Sequence, residues 1–172
     1  MGIIIRKYGG HGGGGGPPRF NGDGIARLIK GLVPGEILRR TDQGIGSDGK
    51  PFAPYRPRYR KHLSDLGEDL KVDLRVSGGL MNSIKARGAT IGADYVEVII
   101  APDTGTSPVW TKRKGKSGRA SRAKGKQGPP HNVVGYWLHY GTPKMRARPF
   151  MGLTPEQTAK LWQMISRIMW RR

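Results

Sequence analysis

Ile91-Gly92-Ala93-Asp94-Tyr95-Val96-Glu97-Val98-Ile99-Ile100 alternates like a β-strand, with Ile91, Ala93, Tyr95, Glu97 and Ile99 on one face and Val96, Val98 and Ile100 on the other. The second face is wholly apolar, as expected of a sheet with one side buried. Ala101-Pro102-Asp103 ends the run. A sheet of this kind needs something to cover its apolar face, and two segments offer helical stripes. Ile25, Leu28, Ile29, Leu32, Val33 and Ile37 recur at helical spacing over 25–40, with Asp23 available as a cap, Gly31 as a weak point and Pro34 expected to kink or divide the helix. Thr154-Pro155-Glu156-Gln157 then reads as a cap, a proline at the first helical position and a capping-box glutamine. It opens a helix over 155–170 that carries Leu161, Trp162, Ile165, Ile168 and Met169 and closes on Arg171-Arg172.

Between these elements the pattern is less regular. Thr41 to Tyr59 reads as an extended loop rich in glycine and proline, where Phe52, Tyr55 and Tyr59 alternate with Arg56, Arg58 and Arg60. Such aromatics can anchor a loop on a core or stack on bases. Residues 62–76 fit a helix in part through His62, Leu63, Leu66, Leu70 and Leu74, while 71–76 alternates as a strand would. Gly78-Gly79 breaks the run, and Leu80 to Ile84 makes one or two helical turns. Val133 to Tyr140 is a short apolar run that suits either period.

The chain has 172 residues, with 31 Lys or Arg against 12 Asp or Glu, a formal charge of +19. One domain with long appendages fits that length. Apolar residues reach 35%, and 28 glycines with 13 prolines leave room for only a small core. Residues 1–24 read as a flexible glycine-rich arm, with Ile3 to Ile5 able to add an edge strand to a neighbour. Residues 25–172 form the domain proper, interrupted by a basic loop or hairpin over 104–132, in which Val109-Trp110-Thr111 and Val133-Val134 are candidate paired feet. No acidic residue lies between Asp103 and Glu156, whereas eight cations, Lys112, Arg113, Lys114, Lys116, Arg119, Arg122, Lys124 and Lys126, crowd the insert. These are the candidate contacts to DNA or to an acidic protein partner.

Catalytic and cofactor chemistry finds little support. Without cysteine there is no disulfide, thiolate zinc site or cysteine nucleophile. His11, His62, His131 and His139 lack the spacing of a zinc site, and Ser83 and Ser107 have no evident base and orienter. Asp65, Glu68, Asp69 and Asp73 share a helix face in part, a pattern more typical of a solvated surface than of a metal centre. No cofactor, no enzyme activity and no membrane span are expected, and the chain reads as soluble.

Tyr136-Trp137-Leu138-His139-Tyr140-Gly141-Thr142-Pro143-Lys144-Met145-Arg146-Ala147-Arg148-Pro149-Phe150-Met151 resembles the tail-completion and virion-morphogenesis proteins of tailed bacteriophages, in which an aromatic stretch and glycine lead through a small loop into Ala-Arg-Pro-Phe. His139 stands where many members have Glu. Gly49-Lys50-Pro51-Phe52-Ala53-Pro54-Tyr55 and Ser77-Gly78-Gly79-Leu80-Met81-Asn82-Ser83-Ile84 are weaker likenesses in the right order, the second departing at Gly79. The resemblance covers roughly 25–170. It implies a small α+β domain, a few-stranded antiparallel sheet packed by helices, that assembles as a ring in the virion neck between head and tail. A hexamer is favoured over a dodecamer. The implied neighbours are head-completion or connector proteins and tail-terminator or tail-tube proteins, with genomic DNA passing through the lumen and assembly in the host cytoplasm. In that setting Tyr136, Trp137, Tyr140, Arg148, Pro149 and Phe150 are the candidate interface or anchor residues, for core packing or subunit contact. The alternative is a nucleic-acid-binding or packaging protein that grips phosphate with residues 112–126.

Overall fold

The computed structural model describes residues 2–6, 19–65, 67, 70–74, 78–93, 95–114 and 120–171. In chain order the elements are β1 (Gly2–Arg6), β2 (Arg19–Phe20), α1 (Gly22–Asp42), α2 (Pro57–Asp65), α3 (Gly79–Asn82), β3 (Lys85–Ile91), β4 (Tyr95–Ala101), β5 (Thr106–Lys114), β6 (Ala120–Pro130), α4 (His131–Tyr140), α5 (Pro155–Ile168) and β7 (Trp170–Arg171). The architecture is α+β, a three-stranded antiparallel sheet in the order β1-β4-β3 packed against helices.

The strand expected over 91–100 is two strands. The chain reverses after Ile91, the Gly92 N–H donates to Tyr95 O at 2.9 Å, and Ile91 becomes the partner of Val96 rather than its predecessor on one strand. The apolar face stands as read, since Val96, Val98 and Ile100 are fully buried. With β3 on one side, β4 would expose a row of backbone donors and acceptors on the other, and β1 covers them. Ile3 pairs with Val98 and Ile5 with Val96 of the same chain, so this strand is added in cis. The arm expected over 1–24 is corrected at both ends, because 2–6 joins the sheet, Arg19–Phe20 pairs with Trp170–Arg171, and α1 begins at Gly22. The glycine tract over 7–18 lies outside the described residues.

α1 runs undivided through Pro34, where a kink or a division was expected. Its buried stripe, Ile25, Ile29, Val33 and Ile37, lies on the sheet and α5. Burial of each such side chain contributes about 1.5–3 kcal/mol, enough together to offset the hydrogen bond that a proline removes. Asn21, not Asp23, is the cap, since its side chain accepts the Gly24 N–H at 3.1 Å and donates to Ile168 O at 3.0 Å. The two ends of the domain are thereby tied together. α5 starts with the full capping box, the Gln157 N–H donating to Thr154 Oγ1 at 3.2 Å and the Thr154 N–H to Gln157 Oε1 at 3.1 Å. It ends at Ile168, short of 170, because residues 170–171 pair with β2. Leu161 and Ile165 complete a core with Met81, Ile84 and Phe150.

Other segments differ from expectation. Tyr59, expected in a loop, lies in α2, and residues 70–74 form no strand, while 75–77 fall outside the described residues. Of the one or two helical turns expected over Leu80 to Ile84, a single turn forms, Gly79–Asn82, entered through Gly78 at φ 71. Residues 133–140 belong to α4, so Val133 and Val134 are not a foot of the insert. The insert is a hairpin, β5 against β6, in which Trp110 pairs with Lys124. Its base is fastened to α4, where His131 Nδ1 lies 2.6 Å from Asp103 Oδ1 and the His131 N–H donates to Gly105 O at 2.7 Å.

Candidate functional site

The residues singled out between Tyr136 and Phe150 fold into one unit. α4 ends at Gly141, which holds φ 80 in the left-handed half of backbone space, and a Cβ there would lie 2.8 Å from Ala147 N. Only glycine fits this return. The Arg148 N–H then donates to Leu138 O at 2.7 Å, laying 146–150 back along the helix that precedes it.

Arg148 is almost completely buried, and its donors go to carbonyls of its own chain. Nε donates to Ala53 O at 2.9 Å, Nη2 to Pro54 O at 3.1 Å and Nη1 to Arg146 O at 3.4 Å. The planar fork suits two carbonyls one residue apart, which a lysine ammonium would not reach together. Burial lowers its basicity, and a guanidinium nevertheless stays protonated. This side chain therefore fastens the loop over 43–56 to the Ala-Arg-Pro-Phe element. Pro149 O accepts the Ser47 N–H at 2.6 Å, and Phe150 is wholly buried with its ring edge-on to His139 at 6.0 Å between centroids. His139 Nδ1 accepts the Met151 N–H at 3.2 Å.

A second buried arginine holds the element from the other side. Arg40 Nη1 donates to Gly152 O and to Gln157 Oε1, both at 2.8 Å, and Nη2 donates to Phe150 O. Gln157 Nε2 in turn donates to Glu36 Oε2 at 2.8 Å, and the Arg39 guanidinium beside Glu36 holds that carboxyl below its ordinary value. Arg40 is not among the residues that the sequence singled out. The missed signal is its place on the apolar stripe of α1, three residues after Ile37, where a side chain must enter the core.

With Arg148 and Phe150 turned inward, the outer face of α4 is left uncovered. Tyr136 is 62% exposed, Tyr140 67% and Trp137 40%, and the two tyrosine rings lie tilted against each other with centroids 4.8 Å apart. Large aromatics gathered on one helix face are unusual surface for a lone soluble chain. Beside them opens a cavity of about 540 Å³ between the 54–56 loop, α2, α4 and the 144–148 return. Tyr55, Tyr59, Leu74, Trp137, Leu138 and Met145 give it apolar walls, and Arg56, Lys144 and Arg146 also border it. Burial pushes the Tyr55 hydroxyl up to about 12 and raises that of Tyr59, so both are neutral at physiological pH. Leu74 is buried at φ 61, a conformation that costs a non-glycine residue about 1–3 kcal/mol.

The basic candidates do not join this site through any described contact. Lys112, Arg113 and Lys114 lie on β5, Arg122, Lys124 and Lys126 on β6, and Lys116 and Arg119 fall outside the described residues. The register makes Lys112 the cross-strand partner of Arg122. Like charges opposed in this way disfavour the ribbon unless an anion lies near. Among the described residues no three His, Asp or Glu side chains form a group able to hold a metal, and no helix is long and apolar enough to cross a membrane.

No protein family, no curated protein and no solved structure matches the chain.

Proposed function

We propose that this protein is a structural component of a tailed-phage neck, a ring-forming tail-completion or head-tail joining subunit, and not an enzyme. The observation that carries the reading is the unit built by 136–151, in which two buried arginines fix the Ala147-Arg148-Pro149-Phe150 element beneath a helix whose outward face is aromatic. This stretch bears the resemblance to virion-morphogenesis proteins. Its construction suits an assembly part, since a rigid base holds Tyr136, Trp137 and Tyr140 in a fixed array at low entropic cost to a partner. A small core is also the kind that gains from neighbours in a closed ring. Electron microscopy of the assembled particle is the test: density for this chain between capsid and tail is expected, and its absence from the neck rejects the placement. Native mass spectrometry of the isolated chain should show a hexamer, and loss of that species in Tyr136→Ala/Tyr140→Ala would assign the contact to α4.

The like-charged register of the hairpin favours a second reading, a DNA-binding or packaging role for 112–126. The logarithm of duplex affinity should then fall linearly and steeply with the logarithm of salt concentration. Removing 112–126 without changing that affinity or its slope rejects this role.

A further inference from the structure

The cavity beside α4 combines an apolar interior with a cationic border. Its volume of about 540 Å³ lies within the roughly 300–1,000 Å³ of sites that enclose a small ligand or an anchoring side chain. Tyr59 and Trp137 stand partly exposed at its walls, and Leu74 and Leu138 line it more deeply. Arg56, Lys144 and Arg146 are exposed beside it, and α2 continues the positive surface through Arg58, Arg60 and Lys61. Among the described residues no carboxylate lines it, although Asp73 lies near enough to act on Tyr55.

We propose that this cavity is a docking site for an acidic segment of a different protein, which seats a bulky apolar side chain against Trp137 and Tyr59 while its carboxylates meet Arg56, Lys144 and Arg146. Charge complementarity selects the occupant. A second copy, whose ring contact is assigned to Tyr136 and Tyr140 outside the cavity lining, would bring the surplus positive charge of a +19 chain to this basic border. A nucleotide's phosphate fits the sign of the border, but the polar edge of its base would enter among Leu74, Leu138 and Met145, where the guanidinium of Arg148 is already committed to the Ala53, Pro54 and Arg146 carbonyls and the other cations lie at the exposed border. An aliphatic or aromatic side chain needs none. The inference deepens the assembly reading of the α4 face and rests on it.

The test is fluorescence anisotropy on the full chain with a labelled, blocked 12-residue peptide of Asp and Glu around a central Phe-Leu pair. The comparison probes are the same peptide with Ala-Ala at the centre, its Lys counterpart, and a 12-nucleotide oligothymidylate. Saturable one-to-one binding is expected. Affinity should drop about ten-fold or more with the Ala-Ala centre and with Trp137→Ala, as for an interface anchor. Lys144→Glu/Arg146→Glu, at two exposed positions where folding is not at stake, should weaken it to a similar degree, and Lys126→Glu should leave it unchanged. The proposal is overturned if the peptide does not bind, if the Ala-Ala peptide binds equally well, or if Lys126→Glu weakens binding as much as the cavity variants. Oligothymidylate binding lost in Trp137→Ala would overturn it in favour of nucleic acid, and Trp137-dependent self-association without peptide binding in favour of a second copy. Ring formation is read separately by native mass spectrometry. A ring without peptide binding removes this inference alone, and peptide binding by a chain absent from the neck removes only the placement.

Discussion

The guanidinium carbon of Arg148 lies 4.9 Å from the centroid of the Tyr55 ring, while its Nε and Nη2 donate to the carbonyls on either side of the Ala53–Pro54 bond. One side chain thus sets the position of a loop 95 residues away in sequence and forms part of a cavity wall. Arg148→Lys keeps the charge and loses the paired geometry. Leaving the buried end of this side chain and the partly buried carbonyls of Ala53 and Pro54 imperfectly paired should cost about 1–2 kcal/mol, and Arg148→Ala, which also loses packing, about 2–3 kcal/mol. Urea unfolding measures both, and a Lys variant as stable as the parent would show that charge alone holds the loop.

Gly141 should tolerate no side chain. Its backbone, at φ 80 and ψ 177, belongs to a region open almost only to glycine, and an added Cβ meets the Ala147 backbone rather than a movable side chain. Gly141→Ala is expected to cost about 3 kcal/mol or more by strain and overlap together. Gly31→Ala, with nothing within 4 Å of the new Cβ and a helical backbone, should instead stabilise by about 0.5–1 kcal/mol. Thermal unfolding of the two variants should therefore shift in opposite directions.

Gln157 does more than cap α5, because its Oε1 also accepts from Arg40 and its Nε2 donates to Glu36. Thr154→Ala should lose about 1 kcal/mol, the ordinary value of a cap. Gln157→Ala should lose about 2 kcal/mol, since buried Arg40 also gives up a partner. Equal losses in chemical denaturation would mean that the Arg40 contact adds nothing.

Burial lowers the pKa of His139 below its ordinary 6.5, which keeps the imidazole neutral and free to accept from Met151. The unfolded chain binds the proton first as pH falls, so stability is unaffected well above 6.5 and declines as pH drops from there toward the folded value. His139→Gln, which retains an acceptor and does not titrate, should flatten that part of the stability profile. An unchanged slope in the variant would assign the decline to other groups.

Asp103 loses its contribution in the same direction, at lower pH and for a different reason. Its hydrogen bond to His131 holds the carboxyl below its ordinary 3.8, so the contribution is present above that pH and is lost as pH falls through the lower folded value. Hydrogen exchange at the base of the hairpin should accelerate in Asp103→Asn at neutral pH, with the core unaffected. Uniform acceleration through the core would contradict a local fastening.

Much of the frame is legible in local sequence because its signals are short-range. The capping box of α5 involves residues three apart, the stripe of α1 repeats every three or four, and the buried face of β4 repeats every two. The reversal after Ile91 was not legible, since apolar residues on both sides continue an alternating pattern across it. Pro34 misled for a related reason, because a local penalty says nothing about the burial that offsets it. At the candidate site the aromatic run 136–140 and the Ala-Arg-Pro-Phe element could be marked in advance, but not which of their side chains turn inward.

The amino-acid sequence by itself determined where α5 starts, which face of β4 is buried and where the cations gather, for each depends on neighbours along the chain or on composition. Only the tertiary structure decided that Arg148 and Arg40 are spent inside the fold, that 2–6 closes the sheet, and that Tyr136, Trp137 and Tyr140 face outward beside a cavity. Those outcomes depend on carbonyls and strand edges supplied by segments up to about a hundred residues apart, and no local pattern encodes such a meeting.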